Sequence, residues 1–214
     1  MMRALILGGT GDANLLAGEI ARRGFNAIYS YAGRTRSPPD QPVPIRIGGF
    51  GGASGLADYI RREGITHVVD ASHPFAAEMS RNAVAACRAT GTRLIALERA
   101  PWVRMAGDKW IEVADIAAAV MALPVDRARI FLAIGRQHIA PFAAKPQHAY
   151  LLRFVDRADE PLPFPDAEII IARGPFALQS EMELLRSRGI EWIVARNSGG
   201  EGARGKIEAA RELG

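Results

Sequence analysis

Short apolar runs alternate with stretches whose apolar residues recur every three to four positions, almost to the end of the chain. The first pattern reads as buried strands and the second as amphipathic helices. Strands are expected over Arg3–Leu7, Asn26–Tyr31, Val43–Ile47, His67–Ala71 and Arg93–Leu97. Five more are expected over Trp110–Val113, Arg129–Ala133, Ala149–Val155, Glu168–Ile171 and Glu191–Ala195. Helical patterns lie between them at Ala13–Arg23, Gly55–Glu63, Pro74–Thr90, Asp115–Leu123, Phe176–Arg188 and Arg204–Leu213. Such alternation implies mainly parallel sheets covered on both faces. The polar stretch "ERAPWVRMAGDK", Glu98–Lys109, splits the strands five and five. The expected organisation is therefore two α/β lobes, residues 1–98 and 110–214, with a linker at 99–109 and a cleft between the lobes. The Pro-rich run "DEPLPFPD", Asp159–Asp166, reads as a surface connector in the second lobe.

The first strand runs into "LILGGTGDANLLAGEI", Leu5–Ile20. Glycines between a strand and a helix let backbone amides approach a pyrophosphate, and the helix N-terminus favours its charge. Gly9, Thr10, Gly11, Asp12 and Ala13 are the candidate phosphate loop, with Asp12 as the expected N-cap. Asn14 stands where G-x-G-x-x-G has its third glycine, which loosens the fingerprint. A purely structural turn is the other reading of this loop. No Gly-Lys-Ser/Thr follows, so a P-loop is excluded. An NAD site has an acidic residue about 20 positions on. Here the second strand ends "IYSYAGRTR", and Ser30, Arg34, Thr35 and Arg36 supply no carboxylate. Guanidiniums there suit the 2′-phosphate of NADPH, unless they are solvated loop charges. No tyrosine is followed four residues on by lysine, which excludes short-chain dehydrogenase chemistry.

Charge and composition narrow the classes further. All but three of the 27 basic residues are arginine, and the net charge is +4. That excess reflects either codon bias or recognition of carboxylate and phosphate, which suits the planar guanidinium. The basic residues are scattered, which argues against nucleic acid. No stretch approaches the roughly 18 apolar residues of a membrane helix. The single cysteine, Cys87, allows no internal disulfide, and a cytoplasmic enzyme is expected.

Further loops are rich in glycine or polar groups. "GGFGG" (Gly48, Gly49, Phe50, Gly51 and Gly52) follows the third strand and would hold backbone against a flat ligand, or be a flexible turn. In "ASHPF", Ala71–Phe75, Pro74 fits a first helical position. That would aim His73 at the strand-end crevice, or leave it as a cap. Arg136 in "IGRQH", Arg173 in "RGPF", Asn197 and Ser198 in "RNSGG", and Lys206 beyond them form an expected anion-binding rim. His67, His73, His138 and His148 show no metal-ligand spacing, so no metal is expected. No serine or cysteine nucleophile motif is present.

In order along the chain, "LILGGTGDA", "AGRT", "GGFGG", "ASHPFA", "LERAPW", "GDKW", Gly135-Arg136, "RGPF" and "NSGG" followed by Lys206 resemble the precorrin-6A reductase family of corrin biosynthesis. The resemblance implies two Rossmann-like lobes with mainly parallel sheets and a cleft between them. It also implies hydride transfer from NADPH to one double bond of a tetrapyrrole, giving a precorrin-6B-like product. On this reading Gly48 to Gly51 and Ser72–His73 line the path to the nicotinamide, and the proton donor is either His73, the only imidazole in a strand-end motif, or bound water. Arg136, Arg173, Asn197, Ser198 and Lys206 would hold substrate carboxylates. Members of that family continue into a final strand where this chain reads "ARELG", which leaves the second lobe's last strand in doubt. The competing readings are a non-catalytic NADP-sensing module that binds a partner protein, and a reductase of another anionic substrate.

Overall fold

The computed structural model describes residues 2–33, 38–156 and 161–214. It divides into two compact units, Met1–Arg99 and Ala100–Gly214. In the first, β1 (Arg3–Leu7), β2 (Asn26–Tyr31), β3 (Ile45–Ile47), β4 (His67–Asp70) and β5 (Arg93–Ala96) form one sheet. Its order is β3-β2-β1-β4-β5, and every neighbouring pair is parallel. Helices α1 (Gly11–Arg22), α2 (Gly52–Arg62) and α3 (Ala77–Thr90) make the crossovers.

β1 is central and sorts two cores by its alternation. Ala4 and Ile6 pack with Ala13 and Ala17 of α1. Leu5 and Leu7 pack on the opposite face with Leu56 and Ile60 of α2 and Ala83 and Cys87 of α3. The buried stripe of α1 (Ala13, Leu16, Ala17, Ile20 and Ala21) has helical spacing. Its deepest residues are alanines, both wholly buried, so the helix backbone lies close on the sheet. Helices α1 and α2 stop in the same way. Gly24 and Gly64 adopt φ of 71° and 61°. Phe25 and Ile65, which follow them, donate back to the carbonyls of Ile20 and Ile60. This Schellman stop needs a left-handed residue, which glycine supplies without strain.

The second unit holds β6 (Arg129–Ala133), β7 (Ala149–Phe154), β8 (Ala167–Ile171) and β9 (Trp192–Ala195) in the order β8-β7-β6-β9, again all parallel. Helix α4 (Ile116–Ala122) and Phe142 cover one face, against Ile130, Leu132, Tyr150 and Leu152. Helices α5 (Leu178–Ser187) and α6 (Gly205–Leu213) cover the other, against Phe131 and Leu151. The Rossmann-like α/β reading therefore holds for both sheets.

Two expectations change. Trp110–Val113 forms no strand, and Ile111 and Val113 are 58% and 42% exposed. Alternation proposes a strand, but only a neighbouring backbone satisfies its amides, and no described strand pairs with this one. The Pro-rich run is more than a connector, because Leu162 and Phe164 pack on the second unit's core. Phe164 lies 4.5 Å from the Tyr150 ring. The segment expected as a linker is tied into the second unit. Asp108 accepts from the Met105 amide and from Arg211 Nε of α6, both at 2.7 Å.

Candidate functional site

In the first sheet the chain runs outward from β1 to β3 and then returns to β4 on the other side of β1. Ligands of open parallel sheets bind at the strand carboxyl ends beside such a reversal. The glycine loop and Ala71–Ser72 lie there. Thr10, not Asp12, is the N-cap of α1: its Oγ1 accepts from the Ala13 amide at 3.1 Å. The same hydroxyl donates to the Ala71 carbonyl at 2.9 Å, joining the ends of β1 and β4. Asp12 is the second residue of the helix, too far in to cap, and its carboxylate pairs with Arg99.

The amides of the loop are therefore not equivalent. Ala13 N–H is used by the cap, and Gly9 N–H donates to the Tyr29 hydroxyl at 2.8 Å. Gly11 and Asp12 open the helix, where no intrahelical acceptor exists, so their amides suit an anion. A Cβ on Gly9 or Gly11 would meet no atom within 4 Å, which leaves open space above the loop. These features fit a dinucleotide diphosphate. Arg34, Thr35 and Arg36, the expected 2′-phosphate contacts, lie outside the described residues.

The "GGFGG" loop is organised by a residue the sequence reading missed. Arg46 on β3 donates to the carbonyls of Gly48 and Gly49, the latter at 2.7 Å, and to Ser30 Oγ at 3.0 Å. Its guanidinium lies 3.7 Å from the Phe50 ring centre, and burial lowers its pKa. Phe50 packs back against Tyr59 at 5.2 Å, so its ring belongs to the core face. Gly51, with φ of 81°, turns the chain into α2.

At the end of β4, Ser72 donates its hydroxyl to Asp70 at 2.6 Å, so towards a ligand it only accepts. Helix α3 begins at Ala77, so Pro74 is not its first residue. Residues His73 to Ala76 form a separate turn, closed by Ala76 N–H to the His73 carbonyl at 2.7 Å. His73 is exposed, and its Nδ1 accepts from the Phe75 amide at 3.3 Å. In the neutral ring that leaves the proton on Nε2.

In the second sheet the reversal lies between β6 and β9. Arg136 opens a 3-10 turn after β6, partly exposed. In that turn His138 Nε2 meets Arg196, which follows β9. Neither partner was among the expected site residues. Asn197 grips the Trp102 backbone at two points, accepting from its N–H at 2.7 Å and donating to its carbonyl at 2.8 Å. Ser198 is buried. Arg173 is exposed at the far edge, 3.9 Å from Asp156.

Lys206 is not on an open rim. It is 6% exposed and donates to the Ala203 carbonyl at 2.6 Å. Burial pushes its pKa down to about 8, opposed by Glu181 and assisted by Arg153. The expected rim thus resolves into exposed or partly exposed cations, Arg136 and Arg173, and groups used in part to build the loops, Asn197 and Lys206.

No group of three or more His, Cys, Asp or Glu residues converges on a metal site among the described residues. No helix among them is long and apolar enough to cross a membrane.

Comparison with known proteins places this geometry. The family model described as precorrin-6x reductase CbiJ/CobK matches residues 3–214. A precorrin-6A reductase of Rhodobacter capsulatus is 60% identical over 214 residues, which is 100% of this chain and 85% of that protein. One of Sinorhizobium sp. is 53% identical over 213 residues, 99% of this chain and 82% of that protein. The solved structure of the CobK precorrin-6A reductase superimposes with a TM-score of 0.98 at 60% identity, covering 100% of this chain and 85% of that one. The paired parallel sheets and glycine-bearing strand ends are therefore those of a known reductase fold, and the chain belongs to the precorrin-6x reductase CbiJ/CobK family.

Proposed function

We propose that this chain reduces one carbon–carbon double bond of precorrin-6A to give precorrin-6B, with NADPH as reductant, as a step of cobalamin biosynthesis. The observation that carries the reading is the full-length match to precorrin-6A reductases, 60% identical at the first relative named above. Fold alone would not carry it, since one fold serves many chemistries.

The Gly11 and Asp12 amides bind the diphosphate, and the open space over Gly9 and Gly11 admits it. Arg34, Thr35 and Arg36 bind the 2′-phosphate. The backbone of Gly48, Gly49 and Gly51, held by Arg46, and Ser72, held by Asp70, line the way to the nicotinamide. When bound, the reduced nicotinamide supplies a hydride. The chain's own residues orient the acceptor carbon and deliver the proton to its neighbour, so one C=C bond becomes CH–CH. His73 delivers that proton from Nε2 in its imidazolium form, returns to the neutral ring, and is reprotonated by solvent. Arg136 and Arg173 receive substrate carboxylates, with Ser198 and Asn197 as neutral partners and Lys206 as a buried cation behind them. Positioning of the two reactants contributes much of the rate.

The test is anaerobic mixing of the protein, precorrin-6A and NADPH. Nicotinamide absorbance should fall, and the pigment should gain the mass of two hydrogens. Absence of oxidation with authentic precorrin-6A, by folded protein, defeats the reading.

A further inference from the structure

Asn14 occupies the place of the third fingerprint glycine, and the structure gives that substitution a purpose. Tyr29 on β2 is wholly buried and runs beneath the glycine loop. A Cβ on Gly8 would lie 2.2 Å from its ring, so only glycine leaves room for it. The Tyr29 hydroxyl accepts from the Gly9 amide at 2.8 Å and donates to Asn14 Oδ1 at 2.7 Å. Gln41 Nε2 donates to the same oxygen at 3.0 Å and to the Tyr31 hydroxyl at 2.6 Å. Tyr31 passes its own proton to the Pro39 carbonyl at 3.0 Å.

The proton sense of this chain is consistent throughout. An amide N–H can only donate, so Tyr29 must accept from Gly9 and spend its proton on Asn14. Asn14 therefore presents its oxygen to two donors. Burial raises the Tyr29 pKa, so the phenol stays protonated and keeps that sense. Gly9 itself sits at φ of 107°, which only glycine holds easily. The network thus fixes a peptide whose angle the loop sequence alone permits but does not enforce.

We propose that Asn14 and Tyr29 are positioning residues for the nucleotide, replacing the helix–strand packing that the third glycine supplies elsewhere. Through Gln41 the same network ties the phosphate loop to Tyr31 at the end of β2. The inference rests on the nucleotide reading above. It makes a counter-intuitive statement: restoring the usual fingerprint with Asn14→Gly weakens nucleotide binding.

The experiment is titration of NADPH against wild type, Asn14→Gly, Tyr29→Phe and the double variant, by ligand fluorescence, with melting temperatures recorded in parallel. Each single change should raise Kd about five- to tenfold, near the worth of one hydrogen bond. The double variant should be little worse than either single, because both break the same chain of bonds. With saturating NADPH, kcat should stay within about twofold of wild type, since one hydrogen bond of loop order is the only loss. Gln41→Ala, which removes a donor and leaves the buried ring alone, should raise Kd as well if Tyr29→Phe fails to fold.

Asn14→Gly binding NADPH as tightly as wild type, or additive losses in the double variant, overturn the proposal. A lowered melting temperature with unchanged Kd also overturns it, because a role confined to stability gives that result. Wild-type protein that binds no nicotinamide nucleotide defeats the cofactor reading itself, and this inference falls with it.

Discussion

His73 is the proposed proton donor, and Arg34 and Arg36 are the proposed 2′-phosphate contacts. His73 is exposed, and its Nδ1 accepts from the Phe75 amide within its own turn. Surface changes of this kind usually alter stability by about 0.5 kcal/mol or less. His73→Ala should therefore melt close to wild type. If Nε2–H is the proton source, turnover should fall by about 10²–10⁴. Full activity across neutral pH would move the donor to water or to the substrate. For Arg34 and Arg36, a hydrogen bond to a charged group is worth about 1.5–3 kcal/mol. Changing both to Ala should raise the Kd for NADPH roughly ten- to several-hundred-fold and hardly alter that for NADH. Titration of both nucleotides at low and high salt checks this. A double variant that keeps its preference for NADPH removes these residues from the 2′ pocket.

Between elements, the second unit holds a buried ion pair. Arg153 on β7 and Glu181 on α5 pair at 2.6 Å with side-chain exposures of 8% and 3%. Arg153 alternates onto the same sheet face as Leu151, and its guanidinium lies 4.0 Å from the Phe176 ring centre. Lys206 of α6 joins this group, so two cations and one carboxylate are buried together. Removing one partner of a buried pair leaves uncompensated charge, at about 3–5 kcal/mol. Glu181→Gln should lower stability by that order in urea unfolding. A loss below about 1 kcal/mol would show that solvent reaches the group.

Lys206 makes a second prediction at this scale. Its folded pKa, about 8, lies below the ordinary value of 10.5. Between these values the unfolded chain binds more protons, so stability should rise as pH goes from about 8 to 10.5. Below pH 8 both states are protonated, and the burial penalty is present in full. Lys206→Met should flatten that rise when melting is followed across the same window. A rise that survives the substitution belongs to other groups.

For the molecule as a whole, ligand linkage is the clearest readout. A ligand that binds only the folded chain stabilises it by about 2.7 kcal/mol at a hundredfold excess over Kd. NADPH at that excess should raise the melting temperature. NADH at the same concentration should raise it much less. Equal shifts would contradict the proposed 2′-phosphate site. The net charge of +4 favours the approach of both an anionic nucleotide and a polycarboxylate, so added salt should weaken each.

Much of this architecture is local and therefore legible in sequence. Arg3–Leu7 and Arg129–Ala133 match the expected strands residue for residue, because a short apolar run ending in glycine or polar residues has few other outcomes. The glycine loop and the ordered motifs that carry the family resemblance are local too. What tertiary structure decided is which groups are already used. From sequence Asp12 looked like the cap, but the cap is Thr10, because Ala71 of a distant strand holds its hydroxyl in place. Asn14 looked like a loosened fingerprint, but its partner Tyr29 stands 15 residues away on a neighbouring strand. Lys206 looked like part of an open rim, but it is buried, with its ammonium on the Ala203 carbonyl. Trp110–Val113 had the alternation of a strand but found no neighbour among the described residues. Periodicity records which side of an element is apolar. Hydrogen-bond partners and buried charge depend on contacts between residues far apart in the chain, and these exist only once it has folded.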